Sequence, residues 1–179
     1  VTFRISSLEP MDCSPAVVDL LVSSGRFAPH FHLPLQHASD VILRRMRRPY
    51  LLDEYRRLVD RIRDLLPDAA IGSDLIAGFP GEREEDACCT LDYLSESPLT
   101  YLHVFPYSPR AGTDASRLSA RVPGPLVRER ARALREVGAE LSRSFREAQV
   151  GRLRAGLTFE SGTMVLTDNY LKVKVAPGR

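Results

Sequence analysis

Four separate stretches of this 179-residue sequence close on groups that trade protons and hydrogen bonds. Ser6, Ser7 and Glu9 follow a β-type run that starts at Phe3. Gln36, His37 and Ser39 follow His30-Phe31-His32-Leu33-Pro34-Leu35. Ser73 and Asp74 sit in a third run, which ends at the turn Gly78-Phe79-Pro80-Gly81-Glu82. A fourth, from Tyr101 to Phe105, continues into Tyr107-Ser108-Pro109-Arg110-Ala111-Gly112-Thr113. A carboxylate such as Glu9 or Asp74 would accept from ribose hydroxyls or from an amino group. Gly78 and Gly81 would let backbone come close to a ligand. Taken singly, each residue is equally explained by turn chemistry. Glu82, in the first turn of a helix, is favourable through the helix dipole with no ligand at all. The convergence of four strand ends is what favours a site, because parallel α/β folds bind ligands beyond the C-terminal ends of their strands.

Other constellations carry less chemistry. His32 and His37 lie five apart across a strand end and do not make an i, i+4 pair. His32 alternates with apolar neighbours, which suits a hydrogen-bonded structural histidine better than a ligand. Three cysteines, Cys13, Cys88 and Cys89, are an odd number without C-x2-C spacing, so neither a disulfide scaffold nor a metal site is expected from them. Cys88 is expected as a small core residue of a helix. There is no Walker A loop and no G-x-S-x-G elbow. Arg44, Arg45, Arg47 and Arg48 crowd one short helix and its exit. A phosphate backbone or a cofactor carboxylate would offset that charge; pairing with Asp40, Asp53 and Glu54 is equally plausible.

The elements that must position these groups alternate in type. Strands are expected near residues 3–7, 30–35, 70–79 and 101–105. Helices are expected from Ser14-Pro15, over 40–46, over 53–66 (Pro67 stopping it) and from Gly81. Strands separated by 10–15-residue helices argue for βαβ units and a parallel sheet, too few for a complete eight-stranded barrel. Pro34 marks a strand end or bulge. After Ser119 the character changes. A long helix runs to about Gln149, with Val127, Ala131, Leu134, Leu141 and Phe145 on one face. A strand is then expected over 164–175, with Tyr170, Lys172 and Lys174 on one face, an aromatic beside two cations, opposite Leu171, Val173 and Val175.

Charge follows the same division. Residues 1–120 carry 13 Lys/Arg against 17 Asp/Glu, while residues 121–154 carry nine Arg against four Glu, inside a net charge of +2. A basic C-terminal part hints at an anionic partner, although such runs are usually solvated faces. No apolar run approaches the ~20 residues of a membrane helix, and no signal pattern opens the chain, so a cytoplasmic protein is expected. Both ends read as cut, the last five residues being Val175-Ala176-Pro177-Gly178-Arg179.

Several runs resemble the radical S-adenosylmethionine (radical SAM) methylthiotransferases: "RISSLEP" at 4–10, "HFHLPLQHASDVILRRMRRPY" at 30–50, "SDLIAGFPGEREED" at 73–86 and "HVFPYSPRAGTDASRL" at 103–118. They fall in the family's order and span about two thirds of the chain. "LTDNYLKVKV" at 166–175 resembles the tRNA-binding, TRAM-like β domain that follows the family's barrel. With "HVFPYS", it points to the branch acting on threonylcarbamoyladenosine.

The resemblance implies an α/β fold in three parts: the C-terminal part of a partial parallel (β/α) barrel over 1–120, a helical linker over 121–152, and an incomplete TRAM-like domain over 153–179. It implies transfer of a methylthio group to C2 of the adenine next to the anticodon, with S-adenosylmethionine and two [4Fe–4S] clusters. The cluster cysteines belong to parts of the family's chain not matched here. Ser7, Glu9, Gln36 and Asp74 would contact S-adenosylmethionine. Arg47, Arg48, Tyr170, Lys172 and Lys174 would bind the tRNA anticodon stem-loop. Three alternatives stay open: a sibling acting on isopentenyladenosine in tRNA, one acting on a ribosomal-protein aspartate, and a non-catalytic tRNA-binding remnant. His37-Ala38 departs from the family's usual Ser-Gly.

Overall fold

The computed structural model describes residues 2–159 and 162–176; the reading of the two chain ends therefore falls largely outside the described residues. Three strands form a parallel sheet in the order β1 (His30–His32), β2 (Ala70–Ala77), β3 (Tyr101–Pro106). Helices α1 (Pro15–Ser23), α2 (Asp40–Arg45), α3 (Leu52–Leu65) and α4 (Glu84–Glu96) precede or connect them. The βαβ rhythm expected from the sequence is thus present. Helix starts follow local chemistry. Ser14 accepts from the Val17 N–H ahead of Pro15. Glu54 and Asp86, each three residues inside its helix, take the N–H groups of Leu51 and Arg83 at 2.8 and 2.9 Å.

The alternation of the strands separates two faces. Phe31, Ile71, Ser73 and Leu75 are buried toward the helices, among Leu43, Tyr55, Val59, Ile62 and Leu94. His30, His32, Gly72, Asp74, Tyr101 and His103 take the opposite parity, so one face of the sheet is polar. The long helix α5 (Gly124–Ala148) lies against β2, β3 and α4. Gly138 lets it close on β3, since a Cβ there would stand 3.1 Å from that of Leu102. Val127, Ala131 and Leu134 are buried as expected, with Leu141 and Phe145 half-buried.

Several expectations need correction. The strand over 3–7 reduces to one parallel bridge, Phe3 with Phe27. Ser7 takes φ 56°, which breaks the extended run before Leu8 donates to the His32 carbonyl at 3.0 Å. The second strand ends at His32, and pairing resumes only at Gln36. Between them Leu35 N–H finds the Ser73 hydroxyl at 3.0 Å, and the buried Tyr50 and Tyr55 hydroxyls donate to the carbonyls of Pro34 and Leu33. That bulge satisfies backbone groups the ladder leaves over. Helix α4 starts at Glu84 rather than Gly81, because Gly81 takes φ 89°. Its buried side is Ala87, Thr90, Tyr93 and Leu94, and Cys88 is exposed.

The run over 164–175 is two strands, not one. β4 (Gly156–Phe159), β5 (Met164–Thr167) and β6 (Lys172–Lys174) form an antiparallel sheet. Asp168-Asn169 favours a turn. The Thr167 N–H donates to Leu171 O at 2.9 Å across it, and Tyr170 takes φ 73°. No helix among the described residues is long and apolar enough to cross a membrane.

Candidate functional site

At the C-terminal end of the parallel sheet lies a cavity of about 560 Å³. Gln36 and Asp74 line it, with Ile76, Phe79, Phe105 and Tyr107 as the apolar and aromatic wall and Ser108, Arg110 and Thr113 on the loop beyond β3. Size and lining are those of a small-molecule site. Gln36 is set by a φ of 71°, its N–H donating to the Asp74 carbonyl at 2.8 Å and its carbonyl accepting from Ile76 at 2.9 Å. Tyr107 keeps a buried hydroxyl with no partner among the described residues.

Of the four residues expected to meet a cofactor, the structure brings Gln36 and Asp74 to this cavity and not Ser7 or Glu9. Ser7 is exposed. Glu9 pairs instead with Arg48 at 3.1 Å. Side chains expected to serve two different partners thus satisfy one another. Arg47 pairs with Asp114 at 2.6 Å, and Arg45 donates to the Pro80 carbonyl. Arg45, Arg47 and Arg48 therefore find partners other than Asp40, Asp53 and Glu54, the acids weighed against a phosphate backbone or a cofactor carboxylate.

The turn after β2 is built around a buried carboxylate. Glu82, 7% exposed, accepts from the N–H groups of Gly78 and Phe79 at 2.5 and 3.0 Å, and Arg130 of α5 donates to it at 3.1 Å. Gly78 and Gly81 both have positive φ, and the Arg45 guanidinium occupies the space a Cβ of Gly81 would take. Glu82 is therefore a structural anchor of the turn. His37 is equally internal: its Nδ1 accepts from Ser39 N–H at 2.9 Å and its Nε2 stands 3.7 Å from Glu82. Asp86 closes the network. Burial pushes its carboxyl up, but hydrogen bonds from Ser39 and the Arg83 N–H, with His37 and Arg83 close by, outweigh this and hold it below the usual range.

On the polar face of the sheet, His32 Nε2 and His103 Nδ1 stand 3.0 and 3.2 Å from one oxygen of Asp74. The three ligand atoms lie within 4.8 Å of one another, a spacing that a metal site would also show. Behind them Tyr101 Oη lies 3.2 Å from His32 Nδ1 and 3.0 Å from His30 Nε2. His32 is hydrogen-bonded as expected; its partners are Asp74 and Tyr101, with His103 on the same Asp74 oxygen, and the His-x-His spacing and the shared strand parity carry the signal. Burial, the Arg4 charge and His32 bring the His30 pKa down to about 4, opposed only by the residue's own backbone. Burial, reinforced by Asp74 and Tyr170 and opposed by Arg4, lifts Tyr101 to about 12.

Tyr170 does not share a strand face with Lys172 and Lys174. Its ring lies 4.8 Å from that of His30, with the Arg4 guanidinium 3.9 Å from its centre. Asn169, fully buried, donates to Asp68 O and Gln149 Oε1 at 3.0 and 2.9 Å, latching the β segment to the start of β2 and the end of α5. Lys172 and Lys174 are exposed.

The cysteines do not fit an iron–sulfur cluster. Cys88 and Cys89 are exposed neighbours on α4, and Cys13 is buried elsewhere with its thiol pushed up to about 11 by burial. Among the described residues no group of potential ligands includes a cysteine. The cavity combines polar groups of Gln36, Asp74, Ser108 and Thr113 with the rings of Phe79, Phe105 and Tyr107, a lining that suits a molecule carrying an amino or hydroxyl group and a flat ring.

Comparison with known proteins bears on the family and the fold. The model of the Radical SAM superfamily matches residues 1–94. The chain is 39% identical over 171 residues to the threonylcarbamoyladenosine tRNA methylthiotransferase MtaB of Aquifex aeolicus, covering 96% of this chain and 42% of that protein. It is 41% identical over 149 residues to a tRNA-2-methylthio-N(6)-dimethylallyladenosine synthase of a Mycobacterium species, covering 83% of this chain and 28% of that one. The chain thus spans less than half the length of these relatives. Among solved structures, the radical SAM enzyme coproporphyrinogen III oxidase of Escherichia coli superimposes with a TM-score of 0.62 at 24% identity, covering 80% of this chain and 32% of the other, which supports the fold. The chain belongs to the radical SAM superfamily.

Proposed function

We propose that this chain is the C-terminal part of a tRNA methylthiotransferase that acts on C2 of N6-threonylcarbamoyladenosine next to the anticodon. In this reading residues 1–120 belong to the barrel, 121–152 link it to a TRAM-like β domain, and 153–179 begin that domain. One observation carries the proposal: the similarity to the threonylcarbamoyladenosine enzyme covers 171 residues, 96% of the chain, and so reaches into the β segment. The match to the dimethylallyladenosine synthase covers 149 residues at slightly higher identity, and this favours dimethylallyladenosine as the second reading.

S-adenosylmethionine and iron–sulfur chemistry follow from the superfamily. The cofactor, when bound with a reduced cluster, supplies the radical that activates the substrate. The two clusters of the proposed enzyme would be held by residues outside this chain. Within the chain, Gln36 and Asp74 would hold the amino or hydroxyl groups of S-adenosylmethionine, and the aromatic wall would exclude water from the adenine. Glu9, Ser7, Arg47 and Arg48 drop to supporting roles, because the contacts described above occupy them or leave them off the cavity. A cytoplasmic setting suits a tRNA substrate.

The test uses the full-length enzyme with its clusters reconstituted. It is incubated separately with tRNA bearing threonylcarbamoyladenosine and tRNA bearing dimethylallyladenosine, and digested nucleosides are analysed by mass spectrometry. The proposal expects a methylthio product from the first. Product from the second alone establishes the runner-up, and product from neither refutes both. Asp74→Asn is expected to weaken S-adenosylmethionine binding about tenfold, the worth of one charge-assisted hydrogen bond.

A further inference from the structure

We infer that Arg4, His30, Tyr101 and His32 form a one-way hydrogen-bond relay that fixes His32 as an Nε2–H donor and so positions the Asp74 carboxylate at the cavity.

Each link dictates the next. The Arg4 guanidinium has donors and no acceptor. Its Nε lies 3.2 Å from His30 Nδ1, so that nitrogen must accept. A neutral imidazole accepting at Nδ1 carries its proton on Nε2. That Nε2 is 3.0 Å from the Tyr101 oxygen and donates to it. The phenol hydrogen is then directed to His32 Nδ1, 3.2 Å away. His32 is left with its proton on Nε2, which points at Asp74 Oδ1 at 3.0 Å.

The surroundings favour this arrangement. His30 and His32 are 4% and 6% exposed, so water competes little for their nitrogens. The lowered His30 pKa keeps that ring neutral and the raised Tyr101 pKa keeps the phenol protonated. Strand geometry supplies the alignment. His32, Gly72 and Tyr101 face one another across the sheet. A Cβ on Gly72 would sit 1.9 Å from Tyr101 Cζ, so the ring lies across the glycine and reaches both histidines.

Asp74 is where the relay ends. His103 donates to the same Oδ1 at 3.2 Å. The other oxygen, Oδ2, has no donor among the described residues, and Asp74 lines the cavity. The relay also decides between two uses of the His32, Asp74 and His103 trio. A divalent ion needs the lone pair of His32 Nε2, and the relay places a proton there. The trio therefore holds a carboxylate. Arg4, His30, Tyr101 and His32 are positioning residues; only the last step, that Asp74 meets the cofactor, rests on the function proposed above.

The tautomers can be read directly. In the wild-type chain with isotope-labelled histidine, long-range nitrogen–proton correlation NMR at neutral pH should show His30 and His32 each as a single Nε2–H tautomer. In Tyr101→Phe, His32 should lose its single form while His30, still held by Arg4, keeps its own. His103→Ala should leave both unchanged. Wild-type His32 in the Nδ1–H form or as a mixture overturns the relay, as does an unchanged His32 in Tyr101→Phe. So does a Co(II) titration giving ligand-field absorbance that His103→Ala abolishes. In the full-length enzyme, Tyr101→Phe should lower S-adenosylmethionine affinity by up to about tenfold, one hydrogen bond's net worth. A tautomer shift with unchanged affinity upholds the relay and removes the cofactor from Asp74.

Discussion

His30 sits in an environment at odds with its ordinary chemistry. It faces Arg4, His32, Tyr101 and the Tyr170 ring, and its pKa falls from 6.5 to about 4. Between those two pH values the unfolded chain binds a proton at this position that the folded chain refuses. Stability therefore rises with pH across this window and is lost as the solution is acidified from 6.5 toward 4. The full effect is roughly 3 kcal/mol for a shift of this size. Denaturant midpoints measured from neutral to mildly acid pH should fall in the wild type and fall distinctly less in His30→Gln. Equal slopes would assign the acid sensitivity to other groups. At this scale the sequence was only partly legible. The alternation of His30 and His32 on one strand marks them as sharing a face. Tyr101 and His103 reach that face from β3 with a register set by the sheet, and residues about 70 apart in sequence meet through long-range pairing that no local pattern encodes.

Among the elements, the turn after β2 and helix α5 depend on each other. The turn needs Gly78 and Gly81 at positive φ, and Glu82 gathers its N–H groups. The charge this buries is met by Arg130, itself 8% exposed and donating also to Glu84 at 2.8 Å. Removing one partner of a buried pair leaves the other charge stranded. Arg130→Leu is expected to cost about 3 kcal/mol in urea unfolding. Arg57→Leu, which breaks an exposed i, i+4 pair with Asp53, should cost less than about 1 kcal/mol. Similar losses at both positions would mean that the Glu82–Arg130 pair contributes nothing special. Periodicity located α3, α4 and α5 to within a few residues because their apolar stripes are long. It misjudged the short pieces. The strand expected over 164–175 breaks at a turn whose Asn169 is buried by contacts with Asp68 and Gln149, and hydropathy cannot see those partners. Cys88 was expected in the core, but Thr90 and Tyr93 take that side of α4, the threonine hydroxyl bonded to the Asp86 carbonyl at 2.9 Å.

For the molecule as a whole, the question is where its positive charge is free to meet a polyanion. The arginines at 44–48 are largely engaged with Glu9, Asp114 and the Pro80 carbonyl. Tyr170 is committed to Arg4 and His30. Lys172 and Lys174 differ: both are exposed on β6, and no ion pair within the described residues engages them. On α5, Arg128, Arg132, Arg135 and Arg146 are exposed as well. Edge-strand lysines also block sheet-to-sheet pairing, so exposure by itself does not establish a nucleic-acid contact. Salt dependence separates the two roles, because a lysine that neutralises a phosphate releases a counterion and an edge guard does not. In the full-length enzyme, replacing Lys172 and Lys174 with Gln should weaken tRNA binding and reduce the magnitude of the log K against log salt slope by up to ~0.7–0.9 for each phosphate no longer neutralised. Tyr170→Leu should instead act mainly through the Arg4–His30 packing, lowering stability more than it changes the salt slope. If the double lysine variant keeps wild-type affinity and slope, β6 is a protected edge and does not contact the tRNA of the proposed function.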